Sequence, residues 1–296
     1  MQKNTFSEQF VTLSDGATIH VVTSGHGEPA LVPCVGSSPP FERTFGDELK
    51  KNIQFNFIEV RGTSRSSGDT SDVGSLDRIA DDLDEVRKIL GFEKVISLGQ
   101  SRNGIMAAHY AAKYPESVLR LVTIGTPNSL DALKNDDYWE KYADDKRRRL
   151  RTENEAAMEK EEIFKFDTPD KLVRLFDLEA PIYFYDPNNS MADWWDVSLL
   201  SKTMEAVFES NEKWADFRFI ETLKKLKVPA LITYGKYDFM VSPLPKSGEP
   251  IDGKAGLFRG IPGVQVEVFE KSGHFPYWEE EQAFADCYRD WVADLR

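Results

Sequence analysis

The chain has 296 residues, 41% of them hydrophobic, and a formal net charge of −13 at pH 7. This size is sufficient for a buried core and fits one large domain or a domain that carries an inserted subdomain. The acidic balance disfavours nucleic acid and anionic membrane surfaces as partners, and no apolar run approaches the roughly 20 residues of a membrane-spanning helix.

The first residues and the cysteines bear on the cellular compartment. The segment after Met1 lacks the apolar core of a secretory signal. Cys34 and Cys287 lie far apart in the sequence and show no metal-ligand spacing. We therefore expect a cytoplasmic protein with reduced thiols. We also expect no metal or organic cofactor, and a monomer or a homodimer.

The pattern of apolar residues up to position 125 predicts alternating strands and helices. The predicted elements are an antiparallel hairpin at 9–13 and 17–23, strands at 30–35 and 55–60, a helix at 76–90, a strand at 94–99, a helix at 105–114 and a strand at 118–125. Short connections between strands and helices predict a parallel sheet in an α/β fold. Small polar loops at 36–40 and 61–68 follow two of these strands, at the sheet edge where such folds bind ligands.

The character of the chain changes near residue 130. Residues 130–222 are charged, rich in aromatic side chains and helical in pattern, without a strand-like run. Strand-like runs resume at 228–234 and 264–269, and a helix is predicted at 279–295. These changes predict a core made of residues 1–129 and 223–296, interrupted by a helical insertion at 130–222.

The stretch from Lys94 to Gly104 predicts a strand, a sharp turn and a helix, with Ser101 at the turn. So tight a turn needs small residues two positions before the serine and two or three after it. Gly99 meets the first need, whereas Asn103 takes the usual place of the second glycine and Gly104 follows one position late. This pattern fits either a nucleophilic serine or an ordinary strand-to-helix turn.

A serine nucleophile needs a general base and an acid that orients it. His274 follows the last predicted strand and is the candidate base, whereas the remaining histidines are expected to be structural: His20, His26 and His109. Asp238 follows the strand at 228–234 and is the candidate acid, with Asp69 and Asp131 as weaker alternatives. The order Ser101, Asp238, His274 is the order of one particular fold.

Four short motifs occur together with this order. They are G-Q-S-R-N-G at 99–104, V-R-G-T-S-R-S-S at 60–67, G-K-Y-D at 235–238 and G-H-F-P at 273–276. On these motifs the chain resembles the α/β-hydrolase family, and in particular its proline iminopeptidases, lactonases and carboxylesterases. The resemblance implies an eight-stranded, mostly parallel sheet flanked by helices. It also implies that the insertion after the sixth strand is a helical cap over the active site.

The loop after the third strand departs from the family pattern. The family usually has His-Gly there, whereas this chain reads P-C-V-G-S-S. Because an oxyanion hole is built from backbone N–H groups, we assign its donors to Ser37 and Arg102, with Gly36 as the alternative to Ser37. Gly36, Trp194 and Phe239 are predicted to contact the substrate.

Three functions remain open from the sequence. The first is a serine hydrolase that cleaves a small ester, lactone or amide through an acyl-enzyme. The second is an aminopeptidase of the proline iminopeptidase type, in which an acidic run at 153–162 could hold a free amino terminus. The third is a binding or signalling member of the fold with little catalysis. The expected ligand is a small molecule or a short peptide.

Overall fold

The computed structural model describes residues 6–72, 74–130, 136–200, 213–241, 258 and 260–295. Eight strands are described: β1 Ser7–Thr12, β2 Thr18–Gly25, β3 Glu28–Cys34, β4 Ile53–Glu59, β5 Val95–Gln100, β6 Val118–Ile124, β7 Ala230–Gly235 and β8 Val264–Phe269. The described helices are α1 Pro39–Thr44, α2 Asp47–Lys50, α3 Leu76–Ile89, α4 Asn103–Lys113, α5 Asp136–Tyr142, α6 Asp145–Lys160, α7 Asp170–Leu178, α8 Ala180–Tyr183, α9 Phe219–Leu223, α10 Pro276–Glu279 and α11 Glu281–Asp294.

All eight strands form one sheet in the order β1-β2-β4-β3-β5-β6-β7-β8. The β2 strand pairs antiparallel with both β1 and β4, and every other neighbouring pair is parallel. The predicted eight-stranded, mostly parallel sheet is therefore confirmed. Because the strands from β3 onward run the same way, their carboxyl ends and the loops after them share one edge.

The two faces of the sheet are covered by different apolar clusters. Leu231 and Ile232 are adjacent in β7 and belong to different clusters, as expected where neighbouring side chains of a strand point to opposite faces. One cluster contains α3 and α4, and the other contains α11 together with residues of the inserted segment. The parallel strands are thus buried on both sides, which explains their nearly continuous apolar runs.

The helix α3 shows how local sequence sets the boundaries of an element. The Ser75 side chain accepts a hydrogen bond from the backbone N–H of Arg78 at 3.3 Å and caps the first turn. Leu83 and Val86 lie on the face that packs against the sheet. Gly91, just beyond the end of the helix, has a φ of +76°, a conformation that favours glycine.

The regular elements that the structure describes between β6 and β7 are all helices, in agreement with an insertion after the sixth strand. The α8 helix of this insertion and the residue after it belong to the apolar cluster that contains α11, through Ile182, Tyr183 and Phe184. The boundaries 130 and 222 of a separate cap domain remain a prediction. In the described part of the chain, no helix combines the length and apolarity needed to span a membrane.

The last predicted helix begins two residues later than expected. The sequence predicts a helix at 279–295, whereas α11 spans Glu281–Asp294 and Glu279 ends the short helix α10. Glu280 between them has φ −125° and ψ 52°, outside the helical region. Its carboxylate instead accepts a hydrogen bond from the backbone N–H of Lys271 at 2.9 Å.

Candidate active site

Ser101 lies at the turn between β5 and α4 with a φ of +55°, which is rare for a residue other than glycine. Its backbone N–H donates to the carbonyl oxygen of Ile124 at 2.7 Å, which ties the turn to the end of β6. A methyl group on Gly99 would approach within 2.4 Å of the Asn103 carbonyl oxygen. The chain therefore reverses so tightly that position 99 accepts only glycine.

The departure at Asn103 has a structural explanation. The close approach belongs to Gly104, where a methyl group would lie 1.8 Å from Oγ1 of Thr126. Asn103 begins α4, and its buried side chain accepts a hydrogen bond from the backbone N–H of Val35 at 3.2 Å. The amide thus joins the serine turn to the loop after β3.

His274 and Asp238 form a buried pair. Nδ1 of His274 lies 2.7 Å from Oδ2 of Asp238, and both side chains are at most 2% exposed. The other oxygen of Asp238 accepts hydrogen bonds from the N–H groups of Met240 at 3.1 Å and Val241 at 2.8 Å. These donors fix the carboxylate so that one oxygen is left for the imidazole, which then presents Nε2 on its other side.

The loop that carries His274 is held on several sides. The His274 N–H donates to the Tyr183 carbonyl at 2.6 Å, and Nε2 of Gln100 donates to the His274 carbonyl at 3.3 Å. A methyl group on Gly273 would lie 2.1 Å from the Tyr183 carbonyl oxygen, so this contact with α8 also requires glycine. The histidine is therefore positioned by β5 and by the inserted segment together.

Glu279 supports the same loop and was not identified from the sequence. Its carboxylate accepts hydrogen bonds from the N–H of Gly273 at 2.7 Å and of Tyr185 at 2.6 Å. Burial raises the pKa of Glu279 to about 7, although these hydrogen bonds act in the opposite direction. A glutamate six residues after Gly273 was the available signal, but its partners come from the fold.

Gly125 is a second residue that the sequence did not indicate. It follows β6 with a φ of +54°, and a methyl group there would lie 2.9 Å from Nδ1 of His274 and 3.1 Å from Oδ2 of Asp238. The pair therefore lies directly against the backbone at this position. Only a residue without a side chain leaves the hydrogen bond its present length.

Ser101 and His274 line one cavity of about 510 Å³ between the sheet edge and the inserted segment. Ser37, Arg102 and Trp194, three other residues predicted for the site, line it as well. Most of the remaining lining is apolar and aromatic: Val35, Pro40, Phe41, Pro127, Leu130, Phe164, Phe166, Leu172, Leu175, Phe176, Tyr183, Met191, Trp195, Met240, Phe275 and Tyr277. The cavity therefore suits a ligand with a substantial apolar part.

Two charged side chains also line this cavity. Arg102 has its guanidinium carbon 5.5 Å from the ring centre of Trp214, and burial lowers its pKa to about 10, so it remains a cation at neutral pH. Glu179 is 5% exposed, and its Oε1 lies 3.8 Å from Nη1 of Arg151. Burial and the Glu179 charge, in that order, raise the pKa of the Tyr183 phenol.

Three of the residues predicted for the site do not line the cavity. Asp238 is buried behind His274, and Gly36 is not part of the lining, although Val35 and Ser37 are. Phe239 was predicted to contact the substrate, but its ring packs against Trp139 at 5.1 Å and under Arg147, while Met240 lines the cavity in its place. Successive side chains here point in opposite directions, which the sequence motif did not reveal.

His20, His109 and Asp69 have partners away from the cavity. His20 is buried and lies 3.3 Å from Glu8, and His109 contacts Asp77 at 3.0 Å. Asp69 bonds to Ser71, two residues on. Asp131 and the part of the loop beyond Val241 lie outside the described residues. In the described ranges, no group of three or more histidine, cysteine or acidic side chains could hold a metal ion.

A family model described as alpha/beta hydrolase fold matches residues 26–281. Among curated relatives, the AB hydrolase superfamily protein YclE of Bacillus subtilis is 28% identical, covering 94% of this chain and 96% of the relative. A 2-hydroxy-6-oxononadienedioate/2-hydroxy-6-oxononatrienedioate hydrolase of Escherichia coli K12 is 26% identical over 93% and 91%. A proline iminopeptidase of Saccharolobus solfataricus is 25% identical over 94% and 86%.

Solved structures agree on the fold. The esterase EaEST from Exiguobacterium antarcticum superposes with a TM-score of 0.66 at 22% identity, covering 97% of this chain and 100% of that one. The chain belongs to the α/β-hydrolase family and is an enzyme of that family. The resemblance inferred from the four sequence motifs is thereby confirmed.

Proposed function

We propose that the protein is a serine hydrolase that cleaves small carboxylic esters through an acyl-enzyme. One observation carries the proposal: Ser101, held at a positive φ, lines the same cavity as His274, which pairs with the buried Asp238. A hydroxyl is nearly un-ionised at neutral pH, so it needs such a base to act as a nucleophile. The apolar lining favours an ester whose acyl or alcohol part is apolar.

In the proposed mechanism, Oγ of Ser101 attacks the ester carbonyl while Nε2 of His274 takes its proton. Asp238 accepts the Nδ1–H hydrogen bond, which selects the tautomer and stabilises the imidazolium. The backbone N–H groups of Ser37 and Arg102 stabilise the negative oxygen of the tetrahedral intermediate. His274 then returns the proton to the departing alcohol, and water repeats the sequence to release the acid and free Ser101.

A second candidate is an aminopeptidase that releases an amino-terminal proline. Glu179 is the observation in its favour, because a carboxylate in the cavity could bind a free amine. Arg151 lies 3.8 Å from this carboxylate and offsets its charge, and Arg102 adds a cation to the same cavity. The acidic run at 153–162 is not part of the cavity lining, and its Glu155 and Glu161 pair with Arg151 and Arg174. We therefore favour the ester.

The test compares the natural protein with Ser101→Ala on p-nitrophenyl butyrate and on a proline anilide. We expect turnover of the ester and a loss of about 10⁴-fold or more in the variant. Ester turnover retained by Ser101→Ala would contradict the serine mechanism. Cleavage of the proline anilide, but not of its N-acetyl form, would favour the aminopeptidase. Failure of a fluorophosphonate to label Ser101 would favour a binding protein with little catalysis.

A further inference from the structure

The loop that carries Ser37 is anchored at both ends by side chains from other parts of the sheet edge. We define the oxyanion loop as residues 35–38. Its first residue, Val35, donates its N–H to the Asn103 side chain at 3.2 Å. Its last residue, Ser38, donates its N–H to Oε1 of Glu59 at 3.2 Å. Gly36 within it has a φ of +103°.

Glu59 ends β4 and is completely buried, with a relative exposure of 0%. Besides the Ser38 N–H, its Oε1 lies 3.1 Å from Oγ of Ser38 and accepts from Nη2 of Arg65 at 2.7 Å. Its Oε2 accepts from the backbone N–H of Arg65 at 2.9 Å. Burial acts to raise the pKa of Glu59, but the hydrogen bonds from Arg65 outweigh it and keep the carboxyl ionised.

Ser38 makes charge-assisted hydrogen bonds with two side chains of opposite charge, Glu59 and Arg65. Arg65 Nη2 also donates to Oγ of Ser38 at 2.9 Å, so Ser38 is held by the carboxylate and the guanidinium together. Ser37 precedes it, is 2% exposed and lines the cavity. Its Oγ has no hydrogen-bond partner among the described residues. The position of Ser37 is therefore set by its neighbours in the loop.

We propose that Glu59, with Arg65, is a positioning residue that fixes the Ser37 N–H where the oxyanion forms. The inference rests on the proposed serine hydrolase function. An oxyanion donor acts mainly in the transition state, and its loss costs about 10²- to 10³-fold in kcat. Loosening the loop that carries the donor should cost part of that amount. It should leave KM nearly unchanged, because the ground-state carbonyl depends little on the donor.

The experiment compares Glu59→Gln with a matched control in α3, Asp82→Asn. Asp82 is also a buried partner of an arginine from residues 61–68: Nε and Nη2 of Arg61 donate to its two oxygens at 2.8 and 2.7 Å. Its contacts do not include Ser38. Both variants remove one charge from a buried acid–arginine pair, but only Glu59 contacts the oxyanion loop.

We expect Glu59→Gln to lower kcat on p-nitrophenyl butyrate by about ten- to a hundredfold with KM within about twofold. Asp82→Asn should lower the melting temperature but keep kcat within about twofold. A wild-type kcat in Glu59→Gln, or an equal loss of kcat in Asp82→Asn, would overturn the inference. Ser101→Ala sets the baseline: if it retains ester turnover, the proposed function itself fails, whatever Glu59→Gln does.

A second variant keeps the test decisive if Glu59→Gln does not fold. Ser38→Ala removes the hydroxyl, which contacts Glu42 as well as Glu59 and Arg65, and keeps the backbone N–H. We expect it to lower kcat by about three- to tenfold, again with little change in KM. A wild-type kcat in this variant would also overturn the inference.

Discussion

At the scale of single residues, the site depends on a backbone approach that the sequence does not display. Gly125 adopts a φ of +54° with the His274–Asp238 hydrogen bond against its Cα. In Gly125→Ala the new methyl group would lie 2.9 Å from Nδ1 of His274, so the pair must shift. Since displacement by even about 1 Å can cost 10²-fold, we expect kcat on an ester to fall by about tenfold or more. Steady-state kinetics will measure it.

The matched control separates this contact from backbone strain. Gly91 also has a positive φ, +76°, but no atom lies within 4 Å of the position its methyl group would take. Gly91→Ala therefore has the same backbone cost, of order 1–3 kcal/mol, without touching the pair. We expect it to lower stability and keep kcat. Equal kcat losses in the two variants would mean that strain, and not the contact, explains the effect.

At the scale of elements, the sequence was sufficient for what depends on local pattern. Ser101, Asp238 and His274 could be proposed because each follows a strand-like run, and parallel strands bring their carboxyl ends to one edge. Phe239 could not be assigned in the same way, because its direction depends on contacts with Trp139 and Arg147, far away in the sequence. The non-helical backbone of Glu280 just before α11, whose carboxylate accepts a hydrogen bond from the Lys271 N–H, was likewise not indicated by local pattern.

The short helix α10 gives a prediction that depends on pH. Burial raises the pKa of Glu279 from 4.5 to about 7. Between these values the folded protein holds a proton that the unfolded chain has lost, so this residue makes stability fall as pH rises through that window. Glu279→Gln lacks this pH-dependent contribution to stability, which amounts to at most about 3 kcal/mol. Its free energy of unfolding minus that of the natural protein should therefore increase from pH 5 to pH 8.

Urea unfolding of both proteins at the two pH values will measure this difference. The amide can accept only one of the two hydrogen bonds that the carboxylate receives from Gly273 and Tyr185, so a destabilisation independent of pH is expected as well. Only the change with pH reports the titration of Glu279. Parallel stability profiles for the two proteins would show that burial does not raise its pKa.

At the scale of the whole molecule, the succession of strands and helices along the chain was predictable, but the lining of the cavity was not. Strands and their connections follow from runs of apolar residues in one sequence. The aromatic residues of the insertion gave no such guide, because each could pack inward or face the ligand. The structure divides them: Trp194 and Phe176 line the cavity, whereas Phe184 is fully buried.

This division predicts how the molecule unfolds. The apolar cluster within the insertion that does not involve the sheet has three buried members among the described residues: Met158, Ile163 and Leu178. Other buried side chains of the insertion, such as Tyr138 and Phe184, belong to the apolar cluster that also contains α11 and covers one face of the sheet. So small a separate core is insufficient for independent stability, and the insertion and the sheet should unfold in one transition.

Thermal unfolding followed by two signals will test this coupling. Four of the six tryptophans lie within 130–222, so fluorescence reports mainly on the insertion, while far-ultraviolet circular dichroism reports on the whole chain. We expect coincident midpoints.

Phe184→Ala, at 0% exposure, should lower both midpoints together through a loss of about 3–5 kcal/mol in the free energy of unfolding. Phe164→Ala, at 62% exposure, should change the free energy of unfolding by no more than about 0.5 kcal/mol and leave both midpoints nearly unchanged. A fluorescence transition that preceded the circular dichroism would instead show that the insertion unfolds by itself, because its contacts with the sheet would then be too weak to couple the two.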